Sequence, residues 1–204
     1  MTADLWEWRR AIADLYADIR RNPDPHAAWL QWRDTRDRLF AHHPQSPIPP
    51  EDRLSYPGIP LFAHDPALRF HVALTPLPDA PDEEFPAGED GTLRMRPFAR
   101  TDGLRARLGG ELTLFWITGY GGGVFLPFAD ATSGRESYGA GRYLLDAIKG
   151  ADLGGETTLD FNFAYNPSCA YSDRYICPLA PPANRLLMAV RGGERLQRAA
   201  VQPL

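Results

Sequence analysis

Apolar positions along this chain change period once, near residue 60, and the change divides it into two predicted regions. In the first, Leu5, Trp8, Ile12, Leu15, Tyr16 and Ile19 recur every three or four residues, the stripe of an amphipathic helix. A second helix is expected from Asp24-Pro25, an acidic N-cap followed by proline at a position whose N–H has no helical partner. It carries Trp29, Trp32, Leu39 and Phe40 on one side, and His42, His43 and Pro44 close it. Pro47, Pro49, Pro50 and Pro57 then predict an extended connector as far as Pro60.

Beyond Pro60 apolar and polar residues alternate. Residues 69–74 read as a strand, and 76–91, rich in Pro, Asp, Glu and Gly, as an exposed loop. Leu93, Met95 and Pro97 alternate with Arg94 and Arg96. Residues 104–108 and 111–117, joined by Gly109-Gly110, predict a hairpin, because two glycines accept the positive φ of a tight turn. Further strands are expected at 124–128, 157–161, 186–190 and 195–201. Short strands between turns predict an α+β chain, mainly antiparallel β, with a barrel-like or sandwich core and two N-terminal helices. Residues 1–44 would be the helical pair and 45–204 a β-rich domain, packed as one unit.

Composition narrows the partners. An apolar content of 44% in 204 residues is enough for a packed core. A net charge of -4 with no concentrated basic run argues against nucleic acid. The N-terminus lacks the unbroken apolar stretch of a signal peptide or membrane helix, which predicts a cytoplasmic protein with no membrane partner. Cys169 and Cys177 would then be free thiols. The helical region offers a surface for a homodimer.

Two polar blocks carry the candidate chemistry. In 125–143, Asp130 to Gly134 form a turn. It either closes a hairpin and nothing more, or lets a ligand approach the backbone between Glu136, Tyr138 and Arg142. In 159–171, Asp160 and Asn162 share a face if the strand continues. They either bind a polar ligand or tie down the loop that begins at Asn166-Pro167. The run 119–123, GYGGG, is followed by an apolar strand-like segment and lacks a lysine, so it reads as a strand connection rather than a phosphate loop. Cys169 and Cys177 do not have the spacing of paired zinc ligands, and no metal site is expected. A nucleophilic cysteine would want a cationic neighbour, for which Arg142 or Arg174 would serve. His26, His42, His43, His64 and His71 all precede the polar blocks. Residues 177–186, with three prolines, read as an extended segment along a sheet edge.

The blocks LFAHHPQSP (39–47), FLPFADATSGRESYGAGRYL (125–144), DFNFAYNPSCAY (160–171) and CPLAPPANRL (177–186), with the stretch Arg191-Gly-Gly-Glu194, resemble a bacterial family called domain of unknown function 1684. Ala183 stands where the family pattern has an acidic residue, so the resemblance carries over no acid role there. The resemblance implies no reaction. Some relatives look like secreted lipoproteins, which implies a fold compatible with an oxidising compartment and leaves room for a Cys169–Cys177 bridge.

Three readings follow. The first is a small-molecule enzyme or binding domain with a pocket built from both blocks. Glu136, Asp160 and Cys169 would be catalytic, and Asp130, Tyr138, Arg142, Tyr143, Asn162, Tyr165 and Asn166 would bind ligand. Arg142 would grip an anion by its planar fork. The second is a non-catalytic scaffold whose polar blocks knit loops to the barrel. The third, resting on fold analogy, is a flavin-binding split barrel.

Overall fold

The computed structural model describes residues 2–86, 91–119, 122–145 and 157–196. Two long helices, α1 (Thr2–Arg21) and α2 (Pro25–His42), open the chain. Asp24 ends the turn between them, its carboxylate accepting from the amides of His26 at 2.9 Å and Ala27 at 3.1 Å. Their shared interior is fixed by Trp32, whose indole N–H donates to the Tyr16 hydroxyl at 3.0 Å. Among the described residues no helix is long and apolar enough to cross a membrane.

The strands are β1 (Arg69–Pro76), β2 (Glu83–Pro86), β3 (Thr92–Asp102), β4 (Thr113–Ile117), β5 (Val124–Phe128), β6 (Arg142–Leu145) and β7 (Thr157–Asp160). All ladders are antiparallel, in the order β6-β5-β4-β3-β1-β7, with β2 added to β3. Just past β7, Tyr165 exchanges backbone hydrogen bonds with Tyr143 of β6 at 2.8 and 3.0 Å. That bridge brings the last strand back to the first and nearly closes the sheet into a barrel, the α+β architecture expected from the alternation.

Alternation also distributes side chains between two cores. Phe70, Val72, Leu114, Leu126, Phe128, Leu159 and Phe161 fill the barrel. Their sequence neighbours point the other way: Phe115, Phe125 and Tyr143, with Met95, Phe163 and Tyr165, pack beneath Ile12, Leu15 and Trp32 of the helices. The outer face of the sheet is therefore apolar where α1 and α2 cover it.

Several local expectations are corrected. Residues 104–108 are not the first arm of a hairpin but hold one helical turn, α3 (Arg105–Leu108). The Glu111 carboxylate caps its N-terminus, accepting from the amides of Leu104 at 3.0 Å and Arg105 at 2.7 Å and from the Thr101 hydroxyl at 2.6 Å. Gly109 ends it in the left-handed region, φ 75°. Residues 186–190 form no strand, because their backbone is used elsewhere: Met188 N donates to Leu108 O and Val190 N to the Asp130 carboxylate. Arg195 and Leu196 are irregular, and 197–201 of that expected strand lie outside the described residues. The 76–91 loop contains β2, and the strand predicted to reach Phe161 stops at Asp160, where a short 3-10 turn begins.

Candidate functional site

The ten positions expected to form one pocket separate into four groups. Asp130 and Arg142 are a buried ion pair, Nη2 to Oδ2 at 2.7 Å. Arg142 spends its other terminal donors on the carbonyls of Val190 at 2.8 Å, Gly192 at 2.5 Å and Glu194 at 3.2 Å, while its Nε has no partner among the described residues. Its terminal nitrogens are committed to the fold. Burial pulls its pKa below the ordinary guanidinium value, and Asp130 only partly opposes this. Asp160 and Asn162 form the second group. The Asn162 amide donates to Asp160 Oδ1 and to the Asp65 carbonyl, both at 2.8 Å, and its Oδ1 accepts from Asp65 N at 2.9 Å. Here the pair ties the Asp65 backbone to the end of β7. Glu136 is alone on the surface, paired with Arg191 at 2.8 Å.

Tyr143, Tyr165 and Asn166 do come together, and a cavity of about 280 Å³ lies beside them. Trp8 and Ile12 of α1, Arg36 and Phe40 of α2, and Leu93, Met95, Ile117 and Phe125 of the sheet form its walls. Ser168, Tyr171, Ile176, Cys177 and Pro178 form its rim. The cavity exists because α1 and α2 span the sheet beside the Tyr143–Tyr165 bridge, where the ladder gives way to irregular chain. Tyr138 and Cys169 stand next to the rim, the hydroxyl 3.6 Å from the sulfur.

The polar end of the cavity is built on a residue outside both blocks, Glu194. It is fully buried and pairs with Arg36, whose Nε lies 3.1 Å from Oε1. Its other oxygen accepts from the Tyr171 hydroxyl and from Asn166 N, each at 2.6 Å. The Arg36 guanidinium lies over the rings of Trp32, Phe40 and Tyr165 at 4.9–5.3 Å. Burial is the largest influence on its pKa and would lower it, but Glu194, Tyr16 and Tyr171 together outweigh it and hold the group above the ordinary value. Burial, followed by the Glu194 charge, pushes the Tyr171 hydroxyl well up, so it stays a donor. The Asn166 amide donates to Arg195 O at 3.0 Å, while its Oδ1 has no partner among the described residues.

Glu194 reaches this place because Gly192 and Gly193 run hard against the chain after β7. A Cβ on Gly193, φ 73°, would collide with the Ala164 carbonyl. Neither Arg36 nor Glu194 stood out in the sequence, being 158 positions apart. The Gly-Gly before an acid was the one local signal.

A second, more open concavity of about 660 Å³ lies where β3 and β4 extend past the barrel, lined by Asp82, Arg94, Arg96, Phe98, Trp116 and Thr118. Its guanidinium groups already meet carboxylates, Arg96 with Asp82 at 2.6 Å and Arg94 with Glu84 at 3.2 Å. Among the described residues no group of three or more His, Cys, Asp or Glu side chains is placed to hold a metal ion.

No curated protein matches this chain. The model of a family described as "Protein of unknown function (DUF1684)" matches residues 54–195. The chain belongs to this family. The DUF1684 match spans both polar blocks, Cys169, Cys177 and Glu194, and begins after the helices that supply Trp8, Ile12 and Arg36 to the cavity. The solution NMR structure of an uncharacterized protein from Haloarcula marismortui is similar to it, at 39% identity over 80% of this chain and 89% of that one, with a TM-score of 0.59.

Proposed function

We propose that this member of the DUF1684 family binds a small, uncharged, mostly apolar molecule in the cavity between the helical pair and the sheet. The observation that carries the reading is a 280 Å³ space with apolar side walls and a polar end where the two sequence blocks meet. Its size is close to the lower end of ordinary ligand pockets, roughly 300–1,000 Å³. An apolar cavity of about 150 Å³ already takes up benzene. The charges at its polar end neutralise each other, so a ligand ion would have no counter-charge to meet. The cavity favours a molecule smaller than a flavin nucleotide.

Thermal unfolding in the presence of phenol, 4-alkylphenols and medium-chain alcohols tests this. Saturable stabilisation is expected, reaching about 2.7 kcal/mol at a hundredfold excess over Kd. Ile117→Trp, which fills the cavity, should abolish it while circular dichroism stays unchanged. An absence of saturable binding in the unmodified protein, or binding unaffected by the filled cavity, would overturn the proposal.

A further inference from the structure

Cys169 and Cys177 meet across a tight loop at the rim of the cavity. Both are free and half-buried. The Cys169 amide donates to Cys177 Sγ at 3.4 Å, which sets the two side chains beside one another. From the other side, the Tyr138 hydroxyl reaches Cys169 Sγ at 3.6 Å and the Cys169 carbonyl at 3.5 Å. Neither arginine considered from the sequence fills the cationic role. Arg142 is committed to Asp130, and Arg174 donates to Ser46 O at 3.2 Å.

We propose that Cys169 and Cys177 are a redox-active dithiol, with Cys169 the nucleophile toward a hydroperoxide, Cys177 the resolving thiol and Tyr138 a positioning residue. The assignment of roles follows from who donates to whom. Cys169 sulfur faces the Tyr138 O–H, and that bond favours its thiolate. The neighbouring Cys177 thiol, followed by the Tyr138 hydroxyl, outweighs burial and brings the Cys169 thiol down to about 6. Cys177, beside that thiolate and partly buried, is pushed far up and keeps its proton.

In the first step the Cys169 thiolate attacks the hydroperoxide. An S–O bond forms, the O–O bond breaks, and the departing alkoxide or hydroxide takes a proton from solvent. Cys177 sulfur then attacks the Cys169 sulfenic acid. The S–S bond forms, the S–O bond breaks, and the hydroxyl leaves with the Cys177 proton as water. Two thiols lose two electrons and the hydroperoxide gains them. The segment 172–181 carries Cys177 in irregular backbone, so closing the bond displaces no sheet ladder. Cys177 also lines the cavity, but the chemistry does not depend on what occupies it.

Limited alkylation of the reduced full chain with iodoacetamide, read by peptide mapping, separates the two sulfurs. Against an ordinary thiol titrating near 8.5, a group near 6 is about 100-fold richer in thiolate at pH 6. Lower basicity gives back about tenfold, so Cys169 should react about tenfold faster than an ordinary thiol at that pH. One equivalent of hydrogen peroxide should consume both thiols, lower the intact mass by two hydrogens, and be reversed by dithiothreitol. Cys177→Ser should leave a sulfenic acid on Cys169 that dimedone traps. Tyr138→Phe should move the alkylation midpoint to higher pH, and an unmoved midpoint would remove Tyr138 from the site. Equal alkylation of both cysteines at pH 6, survival of both thiols in peroxide, or only intermolecular dimers would sink the dithiol. The first two readouts need no variant, so they hold even if a substitution perturbs folding.

Discussion

Arg142 and Arg36 are both buried, both paired with a carboxylate, and both hold the same C-terminal segment, yet they do different work. Arg142 with Asp130 gathers the carbonyls of Val190, Gly192 and Glu194 inside closed structure. Arg36 with Glu194 joins the helical pair to the barrel and leaves open space beside it. Burial is the largest influence on both arginines; it prevails at Arg142 and lowers the pKa, whereas at Arg36 the carboxylate and two tyrosines together overcome it and raise the pKa. A buried charged pair therefore does not mark a site by itself. The space next to it does.

The comparison can be broken at several strengths. Arg142→Met leaves Asp130 and three carbonyls without their donor. It should cost about 3–5 kcal/mol, a fall in Tm of roughly 6–20 °C, and a cavity ligand should raise the variant and the unmodified protein alike, leaving the difference between them unchanged. Glu194→Gln keeps hydrogen bonds to Tyr171 and Asn166 while leaving Arg36 without a counter-charge. A loss of about 2–3 kcal/mol in urea unfolding is expected. Combining it with Arg36→Met should restore part of that loss, whereas additive losses would mean that the two groups are not coupled.

Glu111 supplies a control away from both arginines. Burial would raise its pKa, but hydrogen bonds from Thr101 and the amides of α3 outweigh this and hold it below the ordinary carboxylate value. Its folded pKa thus lies under an unfolded value near 4.3. The carboxylate stabilises the fold above that pH, and the contribution disappears as pH falls through the folded value. Glu111→Gln should cost about 1–2 kcal/mol at neutral pH and flatten the acid limb of a stability-versus-pH curve. An acid limb identical to that of the unmodified protein would remove Glu111 from this role. Ile117→Trp should have the smallest effect on stability, within about 1 kcal/mol, because the added ring enters existing space. It sharpens the contrast by removing phenol binding without touching either ion pair.

The legible parts of this protein are those with a short repeat. Helical spacing located α1 and α2, and Asp24-Pro25 marked the turn between them because an N-cap acts within three residues. Alternation located β1, β3, β4, β5 and most of β7, and with them the α+β class. The same reasoning misread 104–108, where a carboxylate three positions beyond the helix captures its amides, a contact that periodicity does not encode. It misread 186–190 because the donors of that segment are taken by Leu108 and Asp130, distant in sequence.

The candidate site divides the same way. Tyr143, Tyr165 and Asn166 were legible as polar residues at strand ends, and Cys169 as a thiol in an irregular loop. Their separation from Asp130, Arg142, Asp160 and Asn162 depended on which way each short segment turned after its strand. Local patterning by itself determined the elements and which side chains face a core, since both follow from backbone geometry over a few residues. Only the tertiary structure decided that Arg36 and Glu194 meet across 158 positions and that a cavity stands beside them. A cavity is the space that packed elements leave between them, and no residue in the chain stands for it.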